Sequence, residues 1–182
     1  MGCGKSSVGR RLSELLCCPF MDLDSVIEEQ AGRSIPEIFA SDGEAAFRQM
    51  ELDALRSIIQ CSTAPSLLPH NHVVLSLGGG AVMTPECAEL VKENTLCIYL
   101  RTSVDTLVER LTDEAAGRPL LNTGNQPSNV IPSEVEESTL RHRIETLMAK
   151  RASTYEATAH HIIDTDNLSI GDIATRVVQM LK

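Results

Sequence analysis

Three short aliphatic runs, separated by helical patterns, constrain the fold of this chain more than any other feature. They are 72–77 (HVVLSL), 95–100 (TLCIYL) and 161–164 (HIID), with a weaker run at 19–21 leading into Asp22. Short runs that are apolar without alternation are the pattern of parallel strands buried on both faces. The segments between them carry helix starts. Ser34-x-x-Glu37 and Ser133-x-x-Glu136 match capping boxes. Thr84-Pro85 sets a cap before a proline at the first helical position, and Ser103 is placed to cap a helix over 104–111. Segment 44–59 repeats Phe47, Met50, Ala54, Leu55 and Ile58 at helical spacing. Strands and helices in alternation predict an α/β fold, a parallel sheet flanked by helices on both faces. At 182 residues the chain has the length of one domain.

The charge balance narrows the partners. Lys+Arg is 16 and Asp+Glu is 25, a net charge of −9. Non-specific nucleic-acid binders and anionic-membrane binders need basic surface, so neither class fits. An anionic small molecule is not excluded, because a local arginine cluster overrides the global field. No run reaches the length of a membrane span, and no basic stretch followed by an apolar one opens the chain. The six cysteines (Cys3, Cys17, Cys18, Cys61, Cys87, Cys97) show no C-x-x-C spacing. They read as buried, reduced thiols of a cytoplasmic protein. The five histidines have no metal-ligand spacing. Segment 112–133 is rich in Gly, Pro, Asn, Ser and Thr and has no apolar period. A stretch of that kind inside a domain is expected to be a mobile lid, although 123–132 also fits a tolerated surface insertion.

Five groups of residues carry chemistry. The chain opens Gly2-Cys3-Gly4-Lys5-Ser6-Ser7 ahead of an amphipathic segment. Gly-Lys-Ser is the tail of a phosphate-binding loop. Glycines let backbone N–H groups converge on phosphate oxygens, the following helix turns its positive end to them, Lys5 reaches the β/γ-phosphates, and the Ser6 hydroxyl suits Mg²⁺. Asp22-Leu23-Asp24 follows the weak run, so two carboxylates leave one strand end with different aims. One can hold a water on Mg²⁺ while the other addresses a substrate hydroxyl; alternatively Asp24 simply caps a helix over 25–31. Gly78-Gly79-Gly80 ends the run VVLSL, where a turn or a close ligand approach needs glycine. Arg48 and Glu51 stand at i and i+3, a spacing that by itself suggests a surface ion pair. Arg118 and Arg151 are single charges in the segments GRPLL and MAKRA.

Taken in order, these pieces resemble the shikimate kinases. The resemblance lies in GCGKSS at 2–7, MDLDSVIEE at 21–29, GRSIPEIFASDGEAAFRQME at 32–51, LSLGGGAV at 75–82, IYLRTS at 98–103, RPLL at 118–121 and MAKRASTYEATA at 148–159. It implies a P-loop, nucleoside-monophosphate-kinase-like fold with a five-stranded parallel sheet. It also implies ATP-dependent phosphorylation of the shikimate 3-hydroxyl on the route to aromatic amino acids. The first loop glycine and the strand that feeds it are expected before Met1, so the sheet's central strand is expected to lie outside this sequence.

Carried over by residue, Gly2, Cys3, Gly4, Lys5, Ser6 and Ser7 resemble the ATP phosphate loop. Ser6 resembles the Mg²⁺ ligand and Asp22 its water-mediated partner. Asp24, Arg48, Gly79 and Arg151 resemble the shikimate contacts, with Gly78 and Gly80 beside them and Glu51 positioning Arg48. Arg118 resembles the lid arginine on the phosphates, and Arg110 resembles a residue that packs on adenine. Lys5, Asp24 and Arg118 are thereby the expected catalytic groups. The expected partners are ATP, with Mg²⁺, and shikimate, with no nucleic acid and no membrane, on a monomer. Two other readings compete: a gluconate-type kinase of the same fold, and an inactive chain serving as an interaction module.

Overall fold

The computed structural model describes residues 3–63, 72–117 and 134–181. The chain enters on helix α1 (Lys5–Leu16) and passes through strand β1 (Phe20–Asp22) to α2 (Leu23–Ala31), α3 (Ile35–Ser41) and α4 (Gly43–Thr63). Strand β2 (Val74–Ser76) leads through a 3₁₀ turn (Ala81–Met83) to α5 (Pro85–Asn94) and β3 (Ile98–Arg101). Helices α6 (Val104–Gly117) and α7 (Glu134–Thr158), strand β4 (His161–Asp164) and α8 (Ile170–Met180) complete it.

The local signals act as their chemistry dictates. Ser34 and Glu37 close a reciprocal capping box on α3. Pro85 occupies the first turn of α5, and the Ser103 hydroxyl accepts from the Thr106 N–H at 3.2 Å at the start of α6. Two expectations are corrected here. Asp24 is not the cap of its helix: α2 begins at Leu23, and the Asp22 side chain accepts from the Asp24 N–H at 3.2 Å. Helix α6 does not stop at 111 but runs on to Gly117, so the first residues of the expected lid segment are helical. Asp-Glu-Ala-Ala at 113–116 explains the extension, since Glu and Ala are strong helix formers. Residues 118–133, with Arg118 and the Ser133 capping signal, lie outside the described residues, as does Gly2.

All described strand pairing is parallel, yet it does not form one sheet. β1 pairs with β2 in the register Phe20↔Val74, Met21↔Leu75, Asp22↔Ser76. β3 pairs with β4 from Ile98↔His161 to Arg101↔Asp164. The five-stranded sheet implied by the resemblance is thus represented, among the described residues, by two separate pairs. Leu75, Ile98 and Leu100 are accordingly only half-buried, where strands covered on both sides would be fully so. Helix α1 bridges the pairs. Val8 packs with Ile163 of β4 and with Ile173 and Val177 of α8, while Gly9 lets Phe20 of β1 come close: a Cβ on Gly9 would stand 2.5 Å from the Phe20 ring.

The core under β1–β2 is the more continuous. Leu23, Ile27, Ile38, Phe47, Ala54 and Ile58 join α2, α3 and α4, and Leu52, Leu55, Val82, Cys87 and Val91 carry it across to α5. The cysteines correct the composition reading in part: all six are free, but only Cys87 is buried, and Cys17 and Cys61 are exposed.

Candidate functional site

Glu51 reverses the surface reading of its helix. It is 1% exposed, on the face of α4 turned toward the core. A buried carboxylate needs a partner, and Arg48 supplies one: its Nη1 donates to Glu51 Oε2 at 2.5 Å, while Nη2 donates to Glu44 Oε1 at 3.0 Å. Burial pushes the Glu51 carboxyl above its ordinary range, and the Arg48 guanidinium opposes that rise. The pair therefore holds the guanidinium at a set place over the end of β2. Spacing along α4 reveals the pairing and not the burial, and burial is what makes it a fixed mount.

The three glycines after β2 meet four polar side chains. A Cβ on Gly78 would lie 2.6 Å from Asp24 Oδ1. One on Gly80 would lie 2.6 Å from Arg48 Nη1. One on Gly79 would lie 3.6 Å from both Arg151 Nη1 and Tyr155 Oη. Gly78 and Gly80 thus each leave the space that one polar group occupies, and the triplet brings α2, α4 and α7 to one strand end. The Gly79 carbonyl accepts from Arg151 Nη1 at 3.2 Å and from the Tyr155 hydroxyl at 2.5 Å. Tyr155 is a residue that sequence reasoning does not single out. Its signal is present all the same: it stands at i+4 from Arg151, hence on the same helix face.

Asp24 is half-buried beside Gly78. Desolvation raises its pKa, and the Asp22 carboxylate adds to the rise, while Lys5 and Arg48 pull it down. A carboxylate held above the usual aspartate range is the better proton acceptor.

The start of α1 lies on the other side of Asp22. Gly4 caps the helix at φ 78°, a left-handed conformation that favours glycine. Ser6 Oγ donates to Asp22 Oδ2 at 3.0 Å. The two residues assigned to Mg²⁺ are therefore neighbours, a hydroxyl and a carboxylate at a helix N-terminus. Oxygen donors of that kind suit a hard divalent cation that keeps most of its waters. Lys5 Nζ stands 3.8 Å from Cys3 Sγ, and Lys5 lies close enough to Asp24 to shift its titration. Ser7 is exposed in the first turn of α1. The charge of Arg110, on α6, acts on Asp166, whose carboxylate accepts from the Ser103 N–H at 3.1 Å. Asp24, Arg48, Glu51, Gly78, Gly79, Gly80 and Arg151 thus gather at one strand end, and Lys5, Ser6 and Asp22 stand beside them.

Comparison with known proteins follows the same lines. The family model described as shikimate kinase matches residues 1–182. The shikimate kinase of Salinibacter ruber is 39% identical over 183 residues, covering 100% of this chain and 80% of the relative. That of Enterococcus faecalis is 37% identical over 182 residues and is covered to 94%. Among solved structures, shikimate kinase from Acinetobacter baumannii in complex with shikimate superposes with a TM-score of 0.74 at 32% identity, covering all of this chain and 88% of that one. Shikimate kinase from Bacteroides thetaiotaomicron gives 0.75 at 27% identity, covering 100% and 93%.

Proposed function

This chain belongs to the shikimate kinase family, and from that premise we propose that it transfers the γ-phosphoryl group of ATP to the 3-hydroxyl of shikimate. The product is shikimate 3-phosphate, on the route to chorismate and the aromatic amino acids. One observation carries the acceptor assignment: at one strand end Gly78 and Gly80 make room for Asp24 and Arg48, and the Gly79 carbonyl accepts from Arg151. A small acid with one carboxylate and several hydroxyls matches two arginines and an aspartate. Arg48 and Arg151 hold the carboxylate through charge-assisted hydrogen bonds. Glu51 fixes Arg48, and the backbone of Gly78, Gly79 and Gly80 lines the floor. Asp24 accepts from the hydroxyl that is to be phosphorylated and takes its proton as the new P–O bond forms.

The donor side is assigned to the phosphate loop. The backbone of Gly2, Cys3, Gly4 and Ser7 surrounds the phosphates, Lys5 addresses the β/γ oxygens, and Arg110 packs on adenine. Ser6 and Asp22 would hold Mg²⁺, which would neutralise charge on the transferring group. Arg118 is assigned to the phosphates from a lid at about 112–133, whose closure excludes water. The whole of 1–182 is read as one catalytic domain acting as a monomer in the cytoplasm. Six unbridged cysteines support that compartment. No helix among the described residues is long and apolar enough to cross a membrane.

A coupled ADP-release assay with ATP and Mg²⁺ tests this reading. Turnover is expected with shikimate and not with gluconate or without acceptor. Turnover with gluconate would favour the other kinase class, and no turnover with any acceptor would favour an interaction module.

A further inference from the structure

We propose that Tyr155 is a positioning residue for the acceptor, acting through the Gly79 carbonyl. The inference rests on the acceptor-site reading above and goes beyond it to a residue with no assigned role. The Gly79 carbonyl carries two lone pairs, and two donors from α7 meet it, the Tyr155 hydroxyl at 2.5 Å and Arg151 Nη1 at 3.2 Å. Both donors come from one face of α7, a single turn apart. The Tyr155 ring is itself held. It lies 5.2 Å from the Tyr99 ring at 50° and packs against the cluster of Leu52, Leu55, Val82, Cys87 and Val91.

Two consequences follow for the acceptor. No described peptide bond is cis, and in a trans peptide the carbonyl and the next N–H point in opposite directions. Fixing the Gly79 carbonyl on α7 therefore directs the Gly80 N–H away from α7, as a donor for an anionic substrate group. A flipped peptide would present a carbonyl oxygen there, which repels a carboxylate. Second, Tyr155 shares the oxygen that Arg151 uses, so it sets the plane in which the rest of the Arg151 guanidinium is offered. A flexible tripeptide of glycines has no side chains to fix its own orientation; the tyrosine does it from outside.

The test is Tyr155→Phe, which removes one oxygen and keeps the ring. The KM for shikimate is expected to rise roughly three- to tenfold, the scale of one neutral hydrogen bond, with kcat and the KM for ATP within about twofold of wild type. Tyr99→Phe is the control, because the buried Tyr99 hydroxyl has no hydrogen-bond partner among the described residues; it is expected to leave the KM for shikimate unchanged. Arg151→Ala should raise that KM, and adding Tyr155→Phe to it should have less than the additive effect. A Tyr155→Phe enzyme with unchanged KM for shikimate, beside an Arg151→Ala enzyme with a raised one, overturns the positioning role and leaves the acceptor site standing. Equal effects of the two Tyr→Phe changes would assign the loss to the ring pair and overturn it too. If Arg151→Ala also leaves the KM for shikimate unchanged, the acceptor-site reading falls and this inference with it.

Discussion

The proposed acceptor side and the proposed donor side of the site are built differently. Around Gly78–Gly80 the polar groups are cross-braced. Glu51 is buried under Arg48, and Arg151 and Tyr155 both close on the Gly79 carbonyl. The bracing ties α4, the loop after β2 and α7, elements far apart in sequence. At the start of α1 the geometry comes from the helix itself, from the left-handed Gly4 cap and the amides that follow. Ser6 to Asp22 is the side-chain bond that ties this end to β1. The acceptor site is thus shaped before a ligand arrives, while the donor site offers a field for charged phosphates. A weakly charged acceptor needs fixed directional partners, whereas a polyphosphate is held by charge.

Among the described residues the strands beneath this division form two separate pairs, and the largest expected effect comes from joining them. An aliphatic strand fused ahead of Met1, pairing in parallel between the two strand pairs, would bury side chains worth roughly 1.5–3 kcal/mol each. At about 2–4 °C per kcal/mol for a chain of this size, a thermal melt should rise by about 10 °C or more. No rise would mean that α1 already closes the gap. Next in size, Lys5→Met should lower turnover by roughly 10²–10³-fold, the scale for losing one electrostatic stabiliser of the transition state. Calorimetry should find shikimate affinity nearly unchanged. A parallel loss of shikimate affinity would erase the distinction between the sides.

Arg48→Ala should weaken shikimate binding by about 2–4 kcal/mol, and it should also lower the melting temperature, because Glu51 is left buried without its cation. An analogue with an alcohol in place of the carboxylate should bind wild type and variant about equally. The glycines sharpen the picture at finer scale. Gly78→Ala and Gly80→Ala place a methyl 2.6 Å from Asp24 Oδ1 and Arg48 Nη1, whereas Gly79→Ala meets its neighbours at 3.6 Å, an ordinary van der Waals separation. The first two should raise the KM for shikimate by about tenfold or more, the scale of one hydrogen bond to a charged group, and the third much less. All three should fold, because the groups displaced are the ends of side chains.

The smallest effect, read on the unaltered enzyme, is a pH dependence. Asp24 holds its proton to a higher pH than an ordinary aspartate. If it takes the hydroxyl proton, kcat/KM for shikimate falls as pH drops through that raised value, and Asp24→Asn abolishes the acid limb along with most activity. The stability sign is opposite. A carboxyl whose folded pKa is raised contributes stability below its unfolded pKa and loses it as pH rises through the folded one. Ionised Asp24 therefore costs stability at neutral pH, and Asp24→Asn should melt no lower than wild type at pH 7.

Much of this protein is legible in its residues. The aliphatic runs mark four parallel strands, since short apolar runs without alternation, set between helical patterns, are what parallel strands carry. Ser34, Pro85 and Ser103 mark helix starts through interactions made within a few residues. The blocks at 2–7, 21–29, 32–51 and 148–159 identify the family. Tertiary structure alone decided three things. It made Asp22, not Asp24, the cap of α2, because the strand ends one residue later than its apolar pattern. It buried Glu51 under Arg48, turning a pair that reads as surface charge into a mount, because the α4 face it occupies is chosen by α2, α3 and α5. And it set polar side chains against every glycine of a triplet, Tyr155 among them. Spacing along a chain fixes which residues share a helix face; which carbonyl that face will meet depends on how whole elements pack.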